Sequence, residues 1–215
     1  MIAHEITIID YGVGNLLSVR RGFEHCGAKV HITSDKNEIL ASNKVVLPGV
    51  GAFSNAMQAL KDLGLVETIQ SLVENGTPLL GICLGMQLLF DESEEFGPTA
   101  GLGIIPGKVV ALPSLTKSGS LHKIPHIGWS GIYASGMSKQ WENKLLNDVE
   151  CGSPVYFVHS FMAQPNDPSN LIAECIYGGH RIPAVIAKDN VVGCQFHPEK
   201  SGSIGLKILQ RFCGD

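Results

Sequence analysis

The chain has 215 residues, 44% of them hydrophobic and 17% charged, with 25 Gly and 11 Pro. This make-up excludes disordered, collagen-like and coiled-coil architectures, and the length fits one domain over residues 1–215 that buries roughly 70% of its unfolded surface. Sixteen basic against twenty acidic residues leave a net charge of −4, which argues against nucleic acid or an anionic membrane as a broad partner.

In chain order, residues 6–9 form a short apolar run ending at Asp10-Tyr11-Gly12, a strand and then a turn. Leu16, Val19, Phe23 and Cys26 recur at helical spacing, and Gly27 closes that helix. A strand over 29–33, a helix to 41 capped by Ser34 or Asp35, and a strand over 44–47 follow. Pro48-Gly49-Val50-Gly51 stops the last of these. Residues 54–74 read as helix broken near Gly64, 79–82 as a strand, and 84–90 as the start of a helix. Alternation of this kind predicts a parallel sheet covered by helices on both faces.

The second half reads differently. Strands are predicted over 104–112, 154–158, 171–177, 181–187 and 190–196, with tight turns at 177–180 and 188–190, so antiparallel pairing is expected there. A helix over 204–212 closes the chain, and 113–122 and 134–143 read as polar and irregular. The prediction is one α/β domain with a mixed sheet. The N-terminus lacks the basic and apolar regions of a signal peptide. The longest apolar stretch, 79–90, contains Gln87 and is far short of the ~20 residues of a spanning helix. No membrane association and a cytoplasmic location are expected.

Gly81-Ile82-Cys83-Leu84-Gly85 has the spacing of a nucleophile elbow, with Cys in place of Ser: a strand turns sharply into a helix and leaves the nucleophile strained at the corner. The competing reading is a buried cysteine between two structural glycines. A cysteine nucleophile needs a base and an orienting group. His197-Pro198-Glu199, at the end of a predicted strand, supplies both if extended backbone points His197 and Glu199 the same way; the alternative is a strand-end histidine paired with a surface carboxylate. Gly49, Val50 and Gly51, with the N–H of Leu84, could present donors to an oxyanion, or simply form a strand-to-helix turn. Glycines on both sides of Val50 would let that peptide flip. His159 ends a strand-like run as a structural or substrate-wall residue. The six cysteines include no C-x-x-C, and Pro125 between His122 and His126 breaks a helical zinc pair. No metal or organic cofactor is expected.

Taken together, PGVGAF, GICLGMQLLF and HPEKS resemble the class I (triad-type) glutamine amidotransferases, which have a flavodoxin-like Rossmann-variant fold with a mixed, mostly parallel sheet. IDYGVGNL, KIPHIGWS, YFVHSF and QFHPEKSG extend the likeness to the glutaminase subunits of imidazole glycerol phosphate synthase, over nearly the whole chain. The resemblance implies hydrolysis of glutamine by Cys83, His197 and Glu199. It implies Gln87, Ser160 and Phe161 as glutamine-binding positions beside His159, and Gly49, Val50 and Gly51 as the oxyanion strand. It also implies a heterodimer with a (β/α)8-barrel cyclase that receives the ammonia, with Asn15, Trp129, Tyr156 and Lys200 on the partner side. Ser130 and Phe161 depart from the family's usual Asn and Tyr. A paralogous protein supplying another synthase, for example in sugar amidination, is the alternative.

Overall fold

The computed structural model describes residues 4–136, 141 and 143–214. Met1–Ala3 and part of the 134–143 stretch read above therefore lie outside the described residues. In chain order the elements are β1 (Glu5–Ile9), α1 (Leu16–His25), β2 (Lys29–Thr33), α2 (Lys36–Leu40), β3 (Val45–Gly49), α3 (Phe53–Asp62), α4 (Val66–Glu74), β4 (Leu79–Cys83) and α5 (Leu84–Leu88). There follow β5 (Phe90–Ser93), β6 (Thr99–Ala100), β7 (Ile105–Ala111), β8 (His126–Ala134), β9 (Pro154–His159), β10 (Phe161–Pro165), β11 (Leu171–Tyr177), β12 (His180–Lys188), β13 (Val191–Cys194) and α6 (Gly202–Gly214).

Among the described residues, nine strands form one sheet in the order β2-β1-β3-β4-β13-β12-β11-β8-β9. Pairing is parallel from β2 to β13 and antiparallel from β13 to β9. The expected change of character between the two halves is therefore real. A second sheet, β10-β7-β5-β6, packs alongside.

Two apolar clusters sandwich the parallel strands. On one face Ile6 and Ile8 meet Val19 and Phe23 of α1 and Ile208, Leu209 and Phe212 of α6. On the other, Ile9 and Leu47 meet Phe53, Met57 and Leu60 of α3 and Ile69 and Leu72 of α4. Each such side chain contributes about 1.5–3 kcal/mol when fully buried. Asp35 is the residue that caps α2, accepting from Asn37 N at 2.8 Å and Glu38 N at 3.0 Å.

Three segments depart from the sequence reading. The helix after Cys83 stops at Leu88, and the chain turns back into a strand at Phe90, because the buried run 79–90 suits either element and only tertiary pairing with β7 decides. β8 is a strand that the sequence pattern does not reveal, because Gly128 and Gly131 mask its alternation. β10 is distinct from β9, although the sequence shows no break between them; Ser160 is the corner at which the chain leaves one sheet for the other.

Packing is very tight where β3, β4 and α5 cross. A Cβ added at Gly85 would stand 1.8 Å from the Leu47 carbonyl oxygen, and one at Gly81 would stand 2.9 Å from backbone atoms of Gly85 and Met86. Gly85→Ala is therefore expected to cost at least the ~1–3 kcal/mol typical of overpacking, read as a lowered denaturation midpoint, whereas Gly76→Ala, whose Cβ meets nothing, costs only its backbone strain.

Candidate active site

β4 sits between β3 and β13, with Gly49 opposite Cys83 on one side and Cys194 opposite Ile82 on the other. The 49–51 loop and the His197 segment thus leave from neighbouring strands on either side of Cys83. The sheet also curls. β9 lies five positions from β4 in strand order, yet the Val158 carbonyl oxygen is 3.9 Å from Cys83 Sγ. A pocket of about 280 Å³ opens between these parts.

Cys83 has φ 55° and ψ −112°, a conformation that costs a non-glycine residue roughly 1–3 kcal/mol and is held by its surroundings. It is the cysteine that lines the pocket. Burial pushes the thiols of Cys175 and Cys213 up to about 12 and that of Cys194 still higher, which leaves them protonated and inert.

His197 also lines the pocket. Its Nδ1 is 2.8 Å from Glu199 Oε1, and the two side chains are only 3% and 1% exposed. The pairing is not made along extended chain, as the sequence reading supposed. Pro198 starts a 3-10 turn, Pro198–Lys200, which folds Glu199 back under the ring. Tyr156 O accepts from His197 N at 2.9 Å, and Ser201 Oγ donates to His197 O at 2.6 Å, fixing the backbone. Burial opposes protonation of His197. Hydrogen bonding and charge from Cys83 and Glu199 outweigh it and raise the pKa to about 10. Nε2 itself is buried with no hydrogen-bond partner of good geometry, although Cys83 stands beside it. A thiol, an imidazole and a carboxylate in this order can act as nucleophile, proton carrier and orienting group.

Of the remaining expected residues, Val50, Gly51, Leu84, Gln87, His159, Ser160 and Phe161 all line the pocket. Gly49 does not. A Cβ there would meet Tyr11 Oη at 2.7 Å and Gly85 N at 2.9 Å, so its place is one of close packing. The buried Tyr11 hydroxyl donates to Pro48 O at 2.6 Å and pins the end of β3; burial, with the charge of Cys83, holds that hydroxyl protonated far above its usual range. Gln87 Nε2 donates to Phe161 O at 3.1 Å and Gln195 Oε1 at 2.9 Å. Both its N–H groups are spent, which leaves Oε1 as its free polar atom. Asn15 caps α1, accepting from Ser18 N at 3.4 Å. Trp129 is 56% exposed and packs edge-on against Tyr156, its cross-strand partner. Lys200 is exposed.

Sequence reasoning missed Glu95. Its carboxylate lines the pocket while Oε2 accepts from Phe53 N at 2.7 Å. An acidic residue in an acidic turn, Glu94-Glu95-Phe96, gives no local signal; only the return of the β5–β6 hairpin to the start of α3 brings it in.

The fold and site are those of a glutamine amidotransferase: the class-I glutamine amidotransferase family model matches residues 7–214, and the chain belongs to that family. Among its relatives is the imidazole glycerol phosphate synthase subunit HisH 1 of Legionella pneumophila (strain Lens), 49% identical over 207 residues that cover 96% of this chain and 97% of the relative. The HisH subunits of Geobacillus thermodenitrificans and Geobacter metallireducens are 48% and 47% identical, over 97% and 96% of this chain and 95% and 96% of their own. Solved structures share the fold at low identity. One glutamine amidotransferase (TM-score 0.71, 15% identity) covers 97% of this chain and 99% of its own. PurLQS of Thermotoga maritima (TM-score 0.70, 19% identity) covers 98% of each. No helix among the described residues is long and apolar enough to cross a membrane.

His159 lines the pocket and His126 is buried behind it, and burial pushes both down to about 4. They are neutral when folded but take up protons near pH 6.5 when unfolded, so the unfolded state binds more protons between these values. Stability is expected to fall as pH drops from ~6.5 towards ~4, by on the order of 2 kcal/mol per histidine. Urea denaturation across that range, compared with His159→Gln, checks it: the variant's acid limb should be shallower.

Proposed function

We propose that the chain is the glutaminase subunit of an imidazole glycerol phosphate synthase, a single amidotransferase domain over 1–215 that works in the cytoplasm. The reading rests chiefly on one arrangement: a strained Cys83 beside a buried His197 whose Nδ1 is held by Glu199, leaving Nε2 to the thiol. Near-full-length likeness to synthase subunits carries the choice of pathway.

Glutamine enters with its α-ammonium towards Gln87 Oε1 and the Glu95 carboxylate, and its side chain reaches Cys83 along the Ser160–Phe161 corner. The Cys83 thiolate attacks the side-chain amide carbon. Charge builds on the carbonyl oxygen and is met by the N–H of Leu84 and by an N–H of the Val50–Gly51 loop. Imidazolium His197, favoured by its raised pKa, gives its proton to the departing ammonia. The neutral ring then takes a proton from water, which splits the γ-glutamyl thioester and releases glutamate. Glu199 stabilises the imidazolium and fixes the tautomer. Ammonia passes to a (β/α)8-barrel cyclase bound as a heterodimer over the face carrying Asn15, Trp129, Tyr156 and Lys200. Trp129 packs on Tyr156, whose carbonyl holds His197, so this face abuts the catalytic turn.

Cys83→Ala is expected to abolish glutamine-driven synthesis by the complex while leaving synthesis from added ammonium salts intact. Loss of both in a folded complex would refute the division of labour. Glutamine hydrolysis with and without cyclase and its acceptor distinguishes this pathway from a paralogous one.

His197→Ala should lose ~10²–10⁴-fold in kcat, the range of a general acid–base group. Glu199→Gln should lose less, because it orients the ring and moves no proton. Wild-type rates in Glu199→Gln would remove Glu199 from the mechanism.

A further inference from the structure

Three hydrogen bonds run in file from β8 to the wall of the pocket, and their direction follows from the last. His159 Nδ1 lies 2.8 Å from the Phe161 carbonyl oxygen. A carbonyl only accepts, so Nδ1 carries the proton. The ring is buried and neutral, which leaves Nε2 as a lone pair. His126 Nδ1 is 3.1 Å from that Nε2 and therefore donates to it. His126 is neutral as well, so its Nε2 accepts from the Ser130 hydroxyl at 2.9 Å. Every donor points from Ser130 towards Phe161. The His126 ring is also clamped, stacked 3.9 Å from Tyr177 and 4.9 Å from Phe157 between centroids.

The file ends where a second one begins. The same Phe161 carbonyl accepts from Gln87 Nε2. The other N–H of Gln87 goes to Gln195, whose Nε2 approaches Cys83 Sγ at 3.9 Å. The orientation of the Gln87 amide thus depends on a carbonyl that His159 holds.

We infer that His126 is a positioning residue for glutamine: its Nδ1–H, kept in that tautomer by Ser130, locks His159, and with it the Phe161 carbonyl on which Gln87 is seated. The inference rests on the glutaminase reading of the site. His126 is away from the reacting atoms, so its loss acts on glutamine binding and not on the chemical step.

Nitrogen-15 spectra of the histidine rings in the wild-type chain at neutral pH should show the Nδ1–H tautomer at both His126 and His159. Ser130→Ala should give a mixture of tautomers at His126. In steady-state glutaminase assays of the complex, His126→Phe keeps the stacking and deletes the donor. Its KM for glutamine should rise about tenfold, the worth of one buried hydrogen bond, with kcat within about twofold. His126→Asn keeps a donor near Nδ1 and should stay close to the wild-type KM. An Nε2–H tautomer at either ring overturns the inference. So does an unmoved KM in His126→Phe, or an equal defect in His126→Asn when thermal unfolding shows both variants folded. Should His126→Phe fail to fold, the spectra and the KM of Ser130→Ala decide. A wild-type complex that hydrolyses no glutamine refutes the glutaminase reading instead, and leaves the tautomers to be read independently.

Discussion

Gly85 has no room for a side chain, and much of the site follows from that. Its backbone presses on the Leu47 carbonyl where α5 crosses the end of β3. For α5 to start so close to β3, the chain must leave β4 through a single abrupt turn, and Cys83 is the residue that absorbs it at positive φ. A side chain at the corner of such a turn has no regular neighbours in its own strand or helix. It therefore points out over the C-terminal ends of the parallel strands, where open α/β sheets hold their ligands. Strain at one residue is offset by the apolar packing of the layers beneath it.

The second half of the chain completes the site by curling. The parallel strands supply the thiol, the 50–51 loop and the start of the histidine segment. The antiparallel strands carry the sheet round until its last member roofs the thiol. Tyr156, Val158 and His159 all belong to that strand, and each touches the site from a different atom: a backbone carbonyl to His197, a carbonyl to the sulfur, and a ring to the pocket wall. An edge strand would ordinarily be a hazard for intermolecular pairing. Here its backbone groups have local work.

How legible all this was depended on the range of the cause. The β-α alternation of the first half is written in local spacing, as are the elbow glycines, and the strand boundaries of β2 and β11 agree with the sequence residue for residue. Cys83, His197 and Glu199 stood out because each lies in a short stretch of special backbone, whereas Gln87, Ser160 and Phe161 came through the family resemblance and not through local spacing. What was illegible was set by partners distant in sequence. β5 exists because β7 pairs with it; β8 hides its alternation behind glycines; Glu95 enters the pocket through a hairpin that returns to α3. His126 looked like half of a failed zinc pair. Only its registry opposite His159 places it in a buried network.

The two glycines that flank Val50 also prove unequal. At Gly49 a side chain would begin against the Tyr11 hydroxyl and the start of α5, while at Gly51 nothing lies within 4 Å of where one would begin. Torsional slack in this loop is therefore one-sided. The loop is tight where it leaves the sheet and open at its far end, so the space for the chain to shift lies at Gly51 and not at Gly49.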